Sequence, residues 1–558
     1  MQLALRLPPR WTEAVLRFHG DTVTLSFVAQ AALLVMAVDV VLAASLRLAG
    51  LPSGGWVFAV ALLAGPVSAH WLRSEREALD RLHLAVLGGL FLFAALISAL
   101  FYDTSWDGTS YHLPAILEMA RGWNPLEERG EVFWANLYPH GIWLLQQTAG
   151  QLFGSFEVTK VFQVVFAGIA LISLLAWWRV ETNEPLDPLR LALIYLIALN
   201  PIVTAQVQSF YVDAPLYALS ITMICQLFLA HRTGRREHLV AAACACVLLM
   251  GSKFSGPYYA GMIALMFGAY LLWCRVPLRR WIVTLGLAGV LGAAVVGFHP
   301  FVSQPLETGT YELMDRKELR KTTVSLGPNN ALKMPGPVQL AVSLFSRTRS
   351  YPGMDADLKL PLTVSLGEIR WMGTPDVRVA GFGPFFSAAM LGAAGLFLVA
   401  LWRRRRDGRR APLYVGFLVA VAMATIASVF FPEPWQARWV PLVWAAPLLL
   451  LASIEPVLRS SRRMTVALVI VLLLAGINSG LALAGNALRT AKQNWSLHSF
   501  IWSYDPARPL TIVPVPYLNY FHKTLEHRFE NAGLEVEFGE EDACLEAIYV
   551  YHHVSNVC

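Results

Sequence analysis

Apolar residues in this chain fall into long unbroken blocks, not the one-sided stripes of water-soluble helices. Thirteen blocks stand out, near 22–48, 56–72, 82–101, 157–178, 190–208, 214–231, 239–252, 257–273, 281–298, 385–402, 412–430, 439–454 and 464–483. A helix that crosses a bilayer needs about 20 apolar residues. The pattern therefore predicts an all-α polytopic membrane protein with about 13 transmembrane helices. The block at 239–252 is short, which implies a tilted or broken helix, or one covered by its neighbours.

Three polar stretches between the blocks are long. The first, 102–156, holds two segments that read as interfacial helices, near Leu113–Arg121 and Gly141–Phe153. The second, 299–384, is rich in proline, glycine and charge, and a loop of that length is usually functional or ordered by its neighbours. The third, 484–558, alternates polar and apolar positions. It reads as strands at Leu510–Val513, Leu534–Phe538 and Ile548–Tyr551 around an amphipathic helix at Leu518–Phe529. The expected organisation is a transmembrane domain over 1–483 and a small extracytoplasmic α/β domain over 484–558. No repeat of 20–50 residues breaks this reading.

Composition agrees: 56% of the 558 residues are hydrophobic and only 15% charged, against about 25% charged in soluble domains. Arginine clusters occupy every second loop, at Arg73/Arg76/Arg81, Arg232/Arg235/Arg236, Arg275/Arg279/Arg280, Arg403–Arg410 and Arg459/Arg462/Arg463. The positive-inside bias puts those loops, and the N terminus, in the cytoplasm and the C terminus outside. The expected location is the inner (plasma) membrane. These loops account for the formal charge of +6, so the charge gives no reason to expect a nucleic-acid partner. The first apolar run is long and retains Asp39, unlike a cleavable signal peptide. Cys225, Cys244, Cys246 and Cys274 read as small core residues. Cys544 and Cys558, in the outer tail, could form a disulfide or remain free.

Ionisable groups at a membrane boundary are costly and ask for a reason. Asp103, Asp107, His112, Asp213, Lys253, His299, Glu433 and Arg438 all fall at the predicted outer ends of spans. They belong to different hairpins and are expected to meet in one outward-facing cavity. The densest group is Asp103-Thr-Ser-Trp106-Asp107-Gly-Thr-Ser-Tyr111-His112, where carboxylates stand beside aromatic rings that can stack on a sugar. Asp107 is the first candidate for a catalytic base and Asp103 the second. The plain alternative for Asp107 is a cap on the helix starting near Tyr111. Asp213, before Ala-Pro, is a second cavity carboxylate or a helix cap. Lys253 and Arg438 break the charge bias. They read as binders of a donor phosphate, or as side chains that snorkel or pair with acidic lipid, with Trp435 and Trp439 as interfacial belt residues. His112 is a phosphate ligand or an interfacial histidine. Trp106, Tyr111, His299 and Glu433 complete the candidate substrate-binding set. The chain has no P-loop, no HExxH and no paired CxxC, so neither ATP hydrolysis nor zinc is indicated.

Trp106-Asp107-Gly-Thr-Ser-Tyr111-His112-Leu-Pro114 resembles the first-loop motif of the GT-C class of integral-membrane glycosyltransferases, in particular bacterial members with Trp-Asp-x-x-x-Tyr-His-Leu-Pro. Tyr211-Val-Asp213, Lys253-Phe-Ser-Gly256, Gly297-Phe-His299-Pro-Phe-Val302, Asp376-Val-Arg378 with Gly381-Phe-Gly-Pro384, and Pro432-Glu433-Pro-Trp-Gln-Ala-Arg438 extend the likeness over roughly 100–440. The resemblance implies sugar transfer from a polyprenyl-phosphate donor to a glycan, lipid or protein acceptor, commonly with inversion. It places an acidic residue (here Asp107) as base and basic residues on the donor phosphate. One span usually precedes the catalytic loop in this class, whereas three are counted here. Some members use a divalent metal, for which Asp103, Asp107 and Asp213 are candidates, and no cofactor is required. A transporter or lipid flippase, or a non-catalytic component of envelope-polysaccharide assembly, is the competing expectation. Against transport, the ionisable groups gather at one membrane face and not at the midplane.

Overall fold

The computed structural model describes residues 22–74, 79–308, 327–350, 354–406, 413–505, 509–513, 520–539 and 556–557. Each of the thirteen apolar blocks coincides with helix. Internal hydrogen bonding is the only way such a block can satisfy its backbone in lipid. Among the described residues, eight helices are long and apolar enough to cross a membrane: Val23–Leu48, Gly55–Leu72, Arg81–Leu100, Glu157–Thr182, Asp213–Thr233, Arg279–Val296, Phe386–Arg406 and Arg462–Ser503.

The block at 190–208 is not one helix. It breaks into Pro188–Ala198 and Pro201–Gln206, because Pro201 has no N–H to continue the ladder and Asn200 caps the second piece, its side chain accepting from Val203 N at 2.8 Å. The block at 439–454 likewise begins as a tight turn, Pro441–Trp444, before Ala445–Ser453. The last block lengthens instead: Arg462–Ser503 runs 42 residues, about 63 Å at 1.5 Å per residue, well beyond a bilayer core. Its far end is held by Asn494, whose side chain accepts from Tyr102 N at 2.6 Å and donates to Tyr102 O at 3.0 Å.

The helices Leu113–Ala120 and Gly141–Phe153 exist where an interfacial position was expected, but they are core elements. Gly141 to Gly150 is buried without interruption, and Thr148 donates to the buried Asp39 at 2.9 Å. Cys225 and Cys246 are buried, Cys244 is half-buried, and Cys274 is exposed at a helix end, not in the core.

Toward the C terminus, strand β1 (Leu510–Val513) pairs in parallel with β2 (Val536–Phe538) and antiparallel with β3 (Asn556–Val557), giving the order β2-β1-β3. Helix Phe521–Asn531 closes this unit, with Leu510, Ile512, Leu525 and Phe529 forming a small core against Leu497. The strand expected at Ile548–Tyr551, and Cys544 and Cys558, lie outside the described residues.

Candidate functional site

Five segments at one end of the bundle converge on a buried polar cluster. The first loop supplies Asp107. Asp213 opens the helix Asp213–Thr233, and the turn before Gly256–Trp273 supplies Lys253. The second long loop contributes Asp376 and Arg378, and the segment before Pro441–Trp444 contributes Gln436 and Arg438. Arg438 is the hub. Its Nη1 lies 2.6 Å from Asp107 Oδ2 and 3.9 Å from Asp213 Oδ2, and its Nε lies 3.2 Å from Asp376 Oδ1. Lys253 pairs with Asp213 Oδ1. Arg378 pairs with Asp376 at 3.0 Å, and Gln436 donates to Asp376 at 3.3 Å. Three carboxylates thus face three cations, and the charge of the cluster balances.

Side-chain exposure distinguishes the pairs. Lys253 and Asp213 are each 2% exposed, while Arg438 and Asp107 retain 13% and 12%. Arg378 and Asp376 retain 15% and 11%, so the Asp107–Arg438 and Asp376–Arg378 pairs are the parts of the cluster nearest to solvent. Burial works to raise the Asp107 carboxyl, but the Arg438 guanidinium outweighs it and holds the group below the ordinary carboxylate range. Burial pulls the Lys253 ammonium down, against the attraction of Asp213.

Aromatic side chains floor the site. The Tyr211 hydroxyl accepts from Asp107 N at 3.3 Å, and Arg438 lies 5.7 Å from the Tyr211 ring centre. His112 is fully enclosed, and burial drives its imidazole down to about 3. Trp143 Nε1, a donor only, gives its hydrogen to His112 Nδ1 at 2.9 Å. The imidazole is therefore neutral with its proton on Nε2. It offers a hydrogen bond and no positive charge. Tyr111 is buried beside it, its ring 5.7 Å from that of Tyr138. Trp106 is half-exposed, edge-on to Phe521 at 4.9 Å.

Other candidates are placed elsewhere. Asp103 accepts from Ser105 N at 2.7 Å and from Phe210 N at 2.8 Å, so both oxygens are spent tying the first loop to the 209–211 turn. Burial pushes its carboxyl up to about 6. A side chain at Gly108 would put its Cβ 1.9 Å from Asp103 Oδ2, which explains glycine there. His299 stacks on His140 at 5.0 Å and its ring nitrogens meet Ser303 Oγ and Asn136 O. Glu433 is half-buried with one carboxylate oxygen lacking a hydrogen-bond partner, and burial raises it to about 7. Neither joins the cluster through a hydrogen bond or ion pair among the described residues.

Asp376 and Arg378 belong to a sequence motif that by itself assigns them no role in the site. Only the pairing across to Arg438 gives them a place. Among the described residues no group of three His, Cys, Asp or Glu side chains stands in a metal-holding arrangement. The Arg438 guanidinium lies between Asp107, Asp213 and Asp376, while Asp103 is bonded to Ser105 N and Phe210 N.

The helix Phe521–Asn531 grips the same loop from outside. Thr524 Oγ1 donates to Thr109 O at 2.8 Å, and Tyr520 N to Ser110 O at 3.0 Å. Arg528 Nη2 donates to Asp103 O at 2.8 Å while its Nε reaches Glu157 at 2.8 Å. Amphipathic patterning predicted the helix, but nothing in sequence named what its charged face holds.

Fold and cluster together define a many-helix membrane protein with a balanced ionic site at one end of its bundle. Among solved structures, the chain is similar to ArnT from Cupriavidus metallidurans, determined bound to undecaprenyl phosphate; the match covers 82% of this chain and 86% of that one at 13% identity, with a TM-score of 0.45. It is also similar to the archaeal oligosaccharyltransferase AglB from Archaeoglobus fulgidus, in complex with an inhibitory peptide and a dolichol-phosphate, over 76% of this chain and 58% of that one, at 13% identity and a TM-score of 0.35. No family model and no curated protein matches the chain.

Proposed function

We propose that the protein is a GT-C-type glycosyltransferase of the plasma membrane, moving a sugar from a polyprenyl-phosphate donor to an acceptor on the extracytoplasmic side. The observation that carries the reading is the Asp107–Arg438 ion pair, 2.6 Å apart and only partly screened from solvent, at the centre of the cluster. It joins a carboxylate to a phosphate-binding side chain drawn from segments 331 positions apart. The sequence motif around Asp107 supports the same assignment.

The pair also suggests an order of events. While Arg438 holds Asp107, the carboxylate is ionised but a weak base. A donor phosphate arriving on Arg438 competes for the guanidinium, whose planar fork suits two phosphate oxygens. Asp107 then loses its counter-charge and gains basicity. It takes the proton of the acceptor hydroxyl as the acceptor oxygen attacks the anomeric carbon. The bond from that carbon to the donor phosphate breaks, and the phosphate leaves with the electron pair, its charge stabilised by Arg438. A single displacement of this kind inverts the anomeric centre. Lys253 reaches the phosphate by exchanging part of its contact with Asp213, and His112 contributes its Nε2 hydrogen. Tyr111 and Trp106 offer stacking surfaces, while Asp103 positions the loop. The 484–558 domain holds that loop from outside.

Purified Asp107→Asn protein is expected to lose at least about a hundredfold in transfer, the usual effect of removing a general base, with expression and donor binding intact. Turnover retained at the wild-type rate would remove Asp107 as the base.

A further inference from the structure

One segment of the second long loop is folded inside out. Over 358–366 an apolar residue stands at every second position, Leu358, Leu360, Leu362, Val364 and Leu366, and Ile369 follows. Alternation of this kind normally turns the apolar side toward a core. Here it points outward: Leu360, Leu362 and Leu366 are 74%, 66% and 76% exposed. Lys359, between two of them, is turned the other way, with 2% of its side chain exposed. Its Nζ donates to Thr363 O at 3.0 Å and to Pro384 O at 2.9 Å, and pairs with the buried Glu368. A contiguous apolar patch on the outside of a protein marks contact with another apolar surface.

The depth of the segment identifies that surface. It runs into the short helix Leu366–Met372, which ends at Gly373. Gly373 lies backbone to backbone on Gly485 of the helix Arg462–Ser503; a Cβ there would stand 2.6 Å from the Gly485 carbonyl carbon. At 1.5 Å per residue Gly485 is about 35 Å along its helix from Arg462, slightly more than the thickness of a hydrocarbon core, about 30 Å. With Arg459, Arg462 and Arg463 at one membrane surface, this contact sets the segment at the opposite boundary between hydrocarbon and headgroups. Leu483 and Leu488, on either side of Gly485, are exposed. So are Leu391 and Leu398 of the helix Phe386–Arg406, which begins just after the carbonyl of Pro384 that Lys359 holds. The patch is thus continuous with helix surfaces that face lipid. Just past Gly373, Pro375 O accepts from Gln206 Nε2 at 3.1 Å, and the same nitrogen reaches Asp213 Oδ2 at 3.1 Å. The segment therefore lies at the ionic-site end of the bundle.

We propose that 358–369 is an interfacial anchor, whose outward side chains lie among the acyl chains of bilayer lipids in the leaflet at the ionic-site end. Immersion removes the leucines from water, and the inward turn of Lys359 keeps its charge out of the hydrocarbon. The chain passes from this stretch through Gly373 to Asp376 and Arg378, so the bilayer fixes the height of the loop that supplies them. The anchor does not depend on the sugar-transfer proposal.

The test uses the full chain in phosphatidylcholine nanodiscs, with a fluorescent amino acid incorporated at one position at a time. The quenchers are phosphatidylcholine spin-labelled near the top of its acyl chain, and aqueous iodide. Two exposed residues serve as references: Ile470, on the helix Arg462–Ser503, for immersion in lipid, and Phe538, on β2, for water. With the label at Leu362, spin-labelled lipid is expected to quench about threefold more than at Phe538, and iodide about threefold less, as for a side chain buried in the interface. Leu360→Glu/Leu362→Glu, read with the label at Leu366, is expected to cut lipid quenching by about half as the stretch leaves the hydrocarbon. Both leucines are exposed, so its thermal midpoint in detergent should match that of the wild type. Iodide quenching at Leu362 equal to that at Phe538, without a response to spin-labelled lipid, overturns the anchor. Protection from both quenchers overturns it as well, and a dimer in native mass spectrometry would then identify a second copy as what covers the patch. Unchanged lipid quenching in the double variant overturns the part assigned to these leucines.

Discussion

Replacing Arg528 with methionine tests how the C-terminal helix is fixed to the first loop. Arg528 is fully buried and bonds to Glu157 and to the carbonyl of Asp103, with its guanidinium 4.7 Å from the Tyr102 ring centre. Methionine keeps most of the apolar stem and removes the charge and the donors. Breaking a buried ion pair costs about 3–5 kcal/mol. Glu157 still has Lys160 as counter-charge, which puts the expected cost near the lower bound, about 3 kcal/mol. At 1.4 kcal/mol per tenfold, that is roughly a hundredfold in the opening equilibrium. The loss is expected to fall on this unit, since Arg528 lies on its helix and has no contact with the helix Asp213–Thr233 among those described. Hydrogen exchange read by mass spectrometry should therefore show amides of the helix Phe521–Asn531 about a hundredfold less protected, with the helix Asp213–Thr233 unchanged. Arg528→Met combined with Glu157→Gln should cost less than the two single variants added together, since both remove the same ion pair. Unchanged protection in Arg528→Met, or strictly additive single and double variants, would refute the idea that this ion pair anchors the helix.

Gly108→Ala should destabilise the first loop strongly, because the new methyl would sit 1.9 Å from Asp103 Oδ2; the check is loss of protection over 103–112 and of transfer activity together. Arg438→Lys keeps the charge but not the fork, so donor KM should rise by about tenfold or more while the thermal midpoint changes little, measured in a lipid-linked sugar transfer assay. Glu433 titrates near 7 when folded and near 4.3 when unfolded. The folded state therefore binds the proton more tightly, and stability falls as pH rises from about 4 to 7. Glu433→Gln should flatten that slope in a thermal melt, and an identical slope in both proteins would discard the raised value.

Long apolar blocks were readable because lipid leaves the backbone one local solution, and every block became helix. What the blocks concealed was punctuation. Asn200-Pro201 sits inside an apolar run, so a count of hydrophobic residues passes over it, yet a missing N–H and a side-chain cap end the helix there. The two carboxylates of the first loop show a sharper limit. Asp103 and Asp107 stand four apart with similar neighbours, and either is a credible base or cap. The geometry divides them: Asp103 has both oxygens taken by backbone N–H groups, whereas Asp107 keeps one side-chain partner, Arg438, and a share of solvent. Which oxygen is already spent depends on Phe210, more than a hundred positions away.

That Asp107, Asp213, Lys253 and Arg438 meet was legible for a related reason. Lys253 and Arg438 violated the charge bias of their loops, and an isolated violation in a membrane protein calls for a counter-charge. Each has one, in Asp213 and in the Asp107/Asp376 pair. Asp376 escaped selection because its loop is already rich in charge, so one more carboxylate there violates nothing. The signal in such sequences is contrast, and it fades wherever the background is polar.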